Sequence, residues 1–373
     1  MGREVLSPRA VRIATLVCRL TLAVVFIVSG FTKVIDPWGT AMKINEYLTI
    51  YGFDALIPGS MVFSIWLCGA EMMMGCMLLF RVRIRLISIF ALASMSFFTL
   101  LTFLSATFLP VEDCGCFGEA IRLSPWATFF KNLLLLPMAA VVWAGNRHDR
   151  ILDFRPWEVA ATLFFFTFTM GLGTYCYLHL PLVDFLPYKV GVDVLAEMRA
   201  ARDGAHQPIR TVLVYRSLAT GELREFSLED DAWRDETAWE WVDTKIVGEV
   251  PQQGSMIEEF ALRDGREDAT ERVLSEPGRL YMICVTSFDD LEPACEECLR
   301  RLVARAAREQ ARVVCITPQS LREDAVPGFA GSEPLPCYNV DASTMKTLLR
   351  ARTGVVVFEQ GVIVDKRNWR DIE

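Results

Sequence analysis

Histidine is nearly missing from this chain: of 373 residues only His148, His179 and His206 carry an imidazole. None adjoins a cysteine pair in sequence, so a mixed Cys/His centre has no ready ligand set and no metal is expected. Positive charge is short as well, with a formal net charge of −8. The deficit is uneven: residues 1–188 hold 14 Lys/Arg against 12 Asp/Glu, and residues 189–373 hold 24 against 34. So acidic a second half lacks the basic patch that a phosphate backbone requires, which argues against nucleic acid as its partner. Also lacking are long low-complexity tracts, obvious internal repeats and, after the first apolar run, the small-residue site of a cleavable secretory signal.

What the chain has in quantity is long apolar runs. Residues 11–31, 61–80, 84–109, 127–144 and 157–180 each come close to or exceed the ~20 residues a spanning helix needs. Arginines alternate between the connections. Arg3, Arg9 and Arg12 precede the first run, Arg81, Arg83 and Arg85 fill the second turn, and Arg147, Arg150 and Arg155 fill the fourth. Excess Lys/Arg in short loops marks the cytoplasmic side. The expectation is a multi-pass protein of the inner (cytoplasmic) membrane, with the lipid bilayer as one partner and a cytoplasmic N-terminus. Five spans then put the loop at 113–118, and everything after residue 180, on the extracytoplasmic, periplasmic face.

Two features of the membrane half carry chemistry. Arg19 lies within the first run and Glu71 within the second. A charge near the bilayer centre costs at least ~2.5–3.5 kcal/mol on insertion scales, so such residues need partners. Measured from the cytoplasmic ends of two antiparallel helices, their depths differ by about one turn, which predicts an Arg19–Glu71 pair. That pair either fixes helix packing or also lines a polar cavity, with Lys131 as a further candidate. Lys33 and Lys131 sit at outer ends, where snorkelling accounts for them. The second feature is Asp113-Cys114-Gly115-Cys116-Phe117-Gly118. Gly115 permits the tight backbone that a one-residue spacer demands. A bridge across so small a ring would be strained and easily reduced. On an oxidising face Cys114 and Cys116 can cycle between dithiol and disulfide. Bridges made elsewhere, free thiols and half a metal site are the competing readings.

These residues resemble a known family. An arginine early in the first run, Gly30-Phe31-Thr32-Lys33 at its end, a glutamate inside the second and the Cys-Gly-Cys string before the fourth are similar to the DoxX/MauE superfamily. The similarity covers about residues 12–144. It implies a four-helix membrane core doing redox work at the outer face. The MauE branch is associated with methylamine utilisation and with maturing a disulfide-rich dehydrogenase subunit. DoxX relatives are associated with quinol oxidation or membrane thiol-redox complexes. The resemblance thus implies a thiol–disulfide oxidoreductase or redox accessory protein, with a membrane quinone as candidate cofactor, and names no substrate.

The second half reads as α/β. Strand-like runs at 211–215, 224–228 and 239–243 are separated by turn signals. A hairpin-like stretch around Arg263–Asp268 leads to a buried strand at 279–285, a helix at 292–310 with Pro293 in its first turn, and a strand at 312–317. A helix at 345–352 and a hairpin across Glu359-Gln360-Gly361 complete the order. From about residue 253 this order resembles the thioredoxin-like fold. The expected division is a DoxX/MauE-like four-helix domain at 1–150, a fifth span and linker at 151–190, a small β-rich segment at 191–252 and a thioredoxin-like domain at 253–373. Cys295-Glu296-Glu297-Cys298 matches the redox motif of that fold, displaced into the first helical turn. Thr353 stands where the resemblance implies a cis-proline opposite the active cysteine. Cys284 and Cys315 fall in apolar strands and are expected to be core thiols.

Two dithiols on one face, Cys114/Cys116 and Cys295/Cys298, suit a relay that passes oxidising equivalents to an extracytoplasmic protein partner or redox substrate. A rival reading is a non-catalytic assembly or scaffolding factor whose outer domain binds a partner. A transporter pathway past Arg19 and Glu71 ranks third, because the spans are few and repeats are absent.

Overall fold

The computed structural model describes residues 8–108, 115–121, 123–149, 155–205, 210–217, 223–227, 238–247, 257, 260–289, 291–319 and 335–372. Among these, five helices are long and apolar enough to cross a membrane: α1 (Pro8–Val34), α3 (Ser60–Phe80), α4 (Ile84–Thr107), α5 (Pro125–Asn146) and α6 (Pro156–Leu178). Their outward faces are apolar, with Ile13, Val24, Phe63, Leu134 and Phe164 all exposed. A helix that is hydrophobic all round belongs in a core or a bilayer, and among the described residues these faces cover no other part of the chain. A further helix, α2 (Pro37–Ile50), follows α1 directly. Asp36 caps it by accepting from the Gly39 N–H at 2.9 Å, and Pro37 occupies its first position.

Helix α1 packs antiparallel on α3, and two glycines set the register. A Cβ at Gly30 would lie 2.4 Å from the Met72 backbone nitrogen, and one at Gly75 would lie 2.6 Å from that of Ile27. Only a missing side chain lets the two backbones approach this closely, the usual device of membrane helix pairs. The core beside this seam gathers Leu22, Phe26, Met77, Leu78, Met95 and Leu135 from α1, α3, α4 and α5.

The chain then forms α7 (Val194–Ala205) and an antiparallel three-stranded sheet of β1 (Arg210–Ser217), β2 (Leu223–Ser227) and β3 (Trp239–Val247), ordered β2-β1-β3. The strands fall where the sequence predicts them; α7 is an addition to a stretch read as β-rich. Next come β4 (Arg263–Asp264), β5 (Glu267–Asp268), α8 (Thr270–Ser275), β6 (Arg279–Val285), α9 (Pro293–Arg308), β7 (Arg312–Thr317), β8 (Cys337–Asn339), α10 (Ala342–Leu348), β9 (Thr353–Glu359) and β10 (Val362–Asn368). They build one sheet in the order β10-β9-β6-β7-β8-β4-β5. β6 and β7 are parallel across α9, and β9 runs antiparallel to β6. The β9–β10 turn places both Gln360 (φ 52°) and Gly361 (φ 85°) in the left-handed region, as a tight hairpin requires.

One face of this sheet buries Phe260, Leu280, Met282, Val356 and Phe358, joined by Tyr188, Val194 and Leu195 from the segment after α6. The other face carries α9 through Leu299 and Leu302. Burying each such leucine contributes about 1.5–3 kcal/mol. The protein is therefore a helical membrane part followed by an α/β part, as the sequence predicts.

Candidate functional site

Lys33 and Glu71 meet inside the bundle, each 8% exposed. The Lys33 ammonium pairs with Glu71 Oε2, and the Ser29 hydroxyl lies 2.6 Å from Glu71 Oε1. The predicted Arg19–Glu71 pair does not form. Arg19 instead donates to the carbonyls of Leu78 and Leu79 at 2.6 and 2.8 Å. The glycine seam explains this difference. With Gly30 against Met72 and Ile27 against Gly75, Arg19 falls opposite the C-terminal end of α3. Eight residues separate Leu79 from Glu71, about 12 Å of helix. Snorkelling is not what Lys33 does, since the same register draws it level with Glu71.

Cys116 belongs to a turn over this pair. Gly115 (φ 60°) and Gly118 (φ 55°) both adopt left-handed conformations, and the Gly118 N–H donates to the Gly115 carbonyl at 3.1 Å. Both glycines of the Cys-Gly-Cys-Phe-Gly string thus do what side-chain-bearing residues adopt only at a cost. The Ser29 hydroxyl lies 2.5 Å from the Cys116 carbonyl oxygen, so one serine bridges the loop to Glu71. Lys131 sits over the Phe117 ring at 4.5 Å from its centroid. Cys116 is a free, half-buried thiol; Cys114 and Asp113 lie outside the described residues.

Beneath the loop is a cavity of about 320 Å³. Val25, Phe97, Phe98 and Leu101 give it apolar walls, and Lys33, Glu71, Cys116, Lys131 and Asn132 are among its polar lining residues. Asn132 ties α5 to α4 by donating to Thr102 Oγ1 and the Phe98 carbonyl, both at 3.4 Å. Helix α2 contributes Thr40, Lys43, Ile44 and Tyr47 to the same cavity. Of the sequence-derived cavity residues, Glu71 and Lys131 line it and Arg19 does not.

The α/β part is held against this end of the bundle. Arg350, 2% exposed, donates to Asp36 at 3.1 Å, to Glu119 at 3.3 Å and to the Lys346 carbonyl at 3.0 Å. His179, just past α6, lies 2.5 Å from Asp371, and Lys366 reaches Asp184 at 2.8 Å. The loop at 115–121 and the α/β part therefore lie on one side of the bundle. Arg350 was not legible as a site residue, because its partners are remote in sequence. Asp36-Pro37, an N-cap followed by proline, was the available signal for α2.

Cys295 lies in the first turn of α9 and Cys298 in the second. Cys295 is 2% exposed, and burial, with Cys298 and Glu292 nearby, pushes its thiol up to about 12. Thr353 hydrogen-bonds that thiol, so the residue at the expected cis-proline position does face Cys295. Cys298 donates to the carbonyls of Trp369 and Ile372 at 3.3 and 3.5 Å, and burial raises its thiol too. Among the described residues no cluster of His, Cys, Asp or Glu is arranged to hold a metal.

Residues 11–145 match the family model described as methylamine utilisation protein MauE. Residues 11–145 are MauE-like. The match spans α1 to α5 and the loop at 115–121, and leaves α6 and the α/β part outside it. No curated protein and no solved structure matches the chain. The MauE-like part thus contains the whole Lys33–Glu71–Cys116 arrangement and its cavity.

Proposed function

We propose that this protein is a membrane thiol–disulfide redox factor acting on an envelope protein, with Cys114 and Cys116 as its working pair. One observation carries the reading: Cys116 lines an apolar cavity together with the buried Lys33–Glu71 pair. The thiol is half-buried, which leaves it open to a partner at the cavity. Oxidation of the pair releases two electrons and two protons. Glu71 is placed to take one proton, with the Ser29 hydroxyl linking it to the loop backbone and Lys33 holding the carboxylate in position; the electron acceptor would take up the balance of the protons.

A membrane quinone fits the cavity. The apolar walls suit a lipid-soluble ring, and the Lys131 side chain supplies N–H donors that a carbonyl oxygen can accept from. When bound, such a group supplies a two-electron acceptor.

The alternating arginines support an inner-membrane orientation with the loop and the α/β part in the periplasm. The βαβ unit followed by helix and hairpin supports a thioredoxin-like reading of residues 253–373, and the MauE match supports a four-helix domain within 1–150. Buried thiols at Cys295 and Cys298 favour a partner-recognition role for this end of α9 over thiol exchange at that pair. The family's printed description supports a task in methylamine utilisation, and the resemblance to the MauE branch implies maturation of a disulfide-bearing enzyme of that process.

The test is alkylation of intact cells followed by separation of reduced and oxidised forms. Cys114/Cys116 should be a mixture that shifts toward the dithiol when the quinone pool is reduced. A pair fixed in one state under every respiratory condition would overturn the reading.

A further inference from the structure

We propose that Cys315 and Cys337 form a second dithiol, in the α/β part, which low-molecular-weight disulfides oxidise to a bridge with Cys337 as the attacking thiol. This inference is independent of what the membrane cavity binds. Cys315 on β7 and Cys337 on β8 are paired in register on adjacent parallel strands. Strand neighbours lie ~4.7–4.9 Å apart, inside the ~4.4–6.8 Å Cα window of disulfides. The Cys315 N–H donates to the Pro336 carbonyl at 2.8 Å, which fixes this register.

The two thiols are unequal. Cys315 is fully buried, whereas Cys337 is half-buried beside the exposed Pro336. They hydrogen-bond to each other, which pulls the Cys337 thiol down and, with burial, pushes the Cys315 thiol up. A more exposed thiol backed by a buried partner is the layout of an attacking and a resolving cysteine. Neither alternative competes. Cys295 shares the apolar cluster with this pair, but its thiol is pushed up to about 12. Cys284 packs on the opposite face of the sheet and is likewise pushed up to about 12.

The chemistry balances as two exchanges. The Cys337 thiolate attacks one sulfur of the reagent disulfide, forming a mixed disulfide and releasing one thiolate. Cys315 gives up its proton to that leaving thiolate, attacks the Cys337 sulfur and expels the second thiol. Two electrons and two protons pass from the protein dithiol, and the reagent becomes two thiols.

The experiment treats the full-length protein, in its membrane, with glutathione disulfide near neutral pH. Remaining thiols are then alkylated and the digest is examined by mass spectrometry. The expected product is a Cys315–Cys337 linked peptide, with Cys284 unmodified. Cys337→Ser should abolish the bridge, and Cys315→Ser should leave glutathione attached at Cys337. Wild-type protein whose Cys315 and Cys337 both remain alkylatable after oxidation would overturn the proposal. So would a bridge joining Cys337 to Cys295. Both of these results are read on the unsubstituted protein, so misfolding of a variant cannot produce them.

Discussion

Arg350 donates to Asp36 at 3.1 Å across 314 residues of chain, with the arginine side chain 1% exposed. The other Asp36 oxygen caps α2, which walls the cavity, and the same guanidinium reaches Glu119 in the turn that carries Cys116. One cation thus joins the α/β part, α2 and the cysteine loop. Arg350→Leu should leave Asp36 as an unpaired buried charge, an effect of about 3–5 kcal/mol in comparable pairs. Limited proteolysis should then cut between the two parts faster than in the parent. Asp36→Asn keeps a cap acceptor and removes the charge, so the Arg350→Leu/Asp36→Asn double variant should recover much of the loss.

Lys33 and Glu71 should behave as one unit in thermal unfolding of the detergent-solubilised protein. Lys33→Leu and Glu71→Leu each strand a charge, and a double-mutant cycle should show coupling of about 0.5–3 kcal/mol. Arg19→Leu removes two hydrogen bonds to carbonyls, each worth about 1.5–3 kcal/mol because the donor is charged. Its cycle with Glu71→Leu should be additive. Coupling between Arg19 and Glu71 would contradict the observed register.

The glycine seam is tested by adding one methyl group. Gly30→Ala must displace Met72 backbone, so a loss of about 1–3 kcal/mol is expected from overpacking. Gly171→Ala in α6 meets nothing within 4 Å and should be neutral or slightly stabilising. Equal effects at the two sites would mean that α1 and α3 do not touch at Gly30.

Alkaline pH should weaken the α/β part through Cys295. Its thiol titrates near 12 when folded, against an ordinary value of 9.0. Above pH 9 the unfolded chain releases a proton that the folded chain keeps, so unfolding becomes easier as pH rises. The contribution is intact below pH 9 and lost toward pH 12. Denaturant titrations of Cys295→Ser should therefore show a shallower decline over that window than the parent, with the two curves parallel below it.

Five spans and a β-α-β-α-β-β order were legible in the sequence because each rests on local pattern: apolar length for the spans, period and turn residues for the strands and α9. Asp113–Gly118 was legible as chemistry from composition alone, and its two glycines do take the left-handed conformations that a tight turn demands. Which charges meet was decided only by the tertiary structure. Helix depth counted from sequence assumes that antiparallel helices start level, but Gly30 and Gly75 slide α1 along α3 until Lys33 faces Glu71. Arg350–Asp36 and Cys315–Cys337 are likewise products of long-range packing, since no local period connects residues so far apart in the chain. Sequence periodicity fixes which face of an element is apolar; the partner of a buried polar group depends on how whole elements are staggered, which side-chain size at the contact controls.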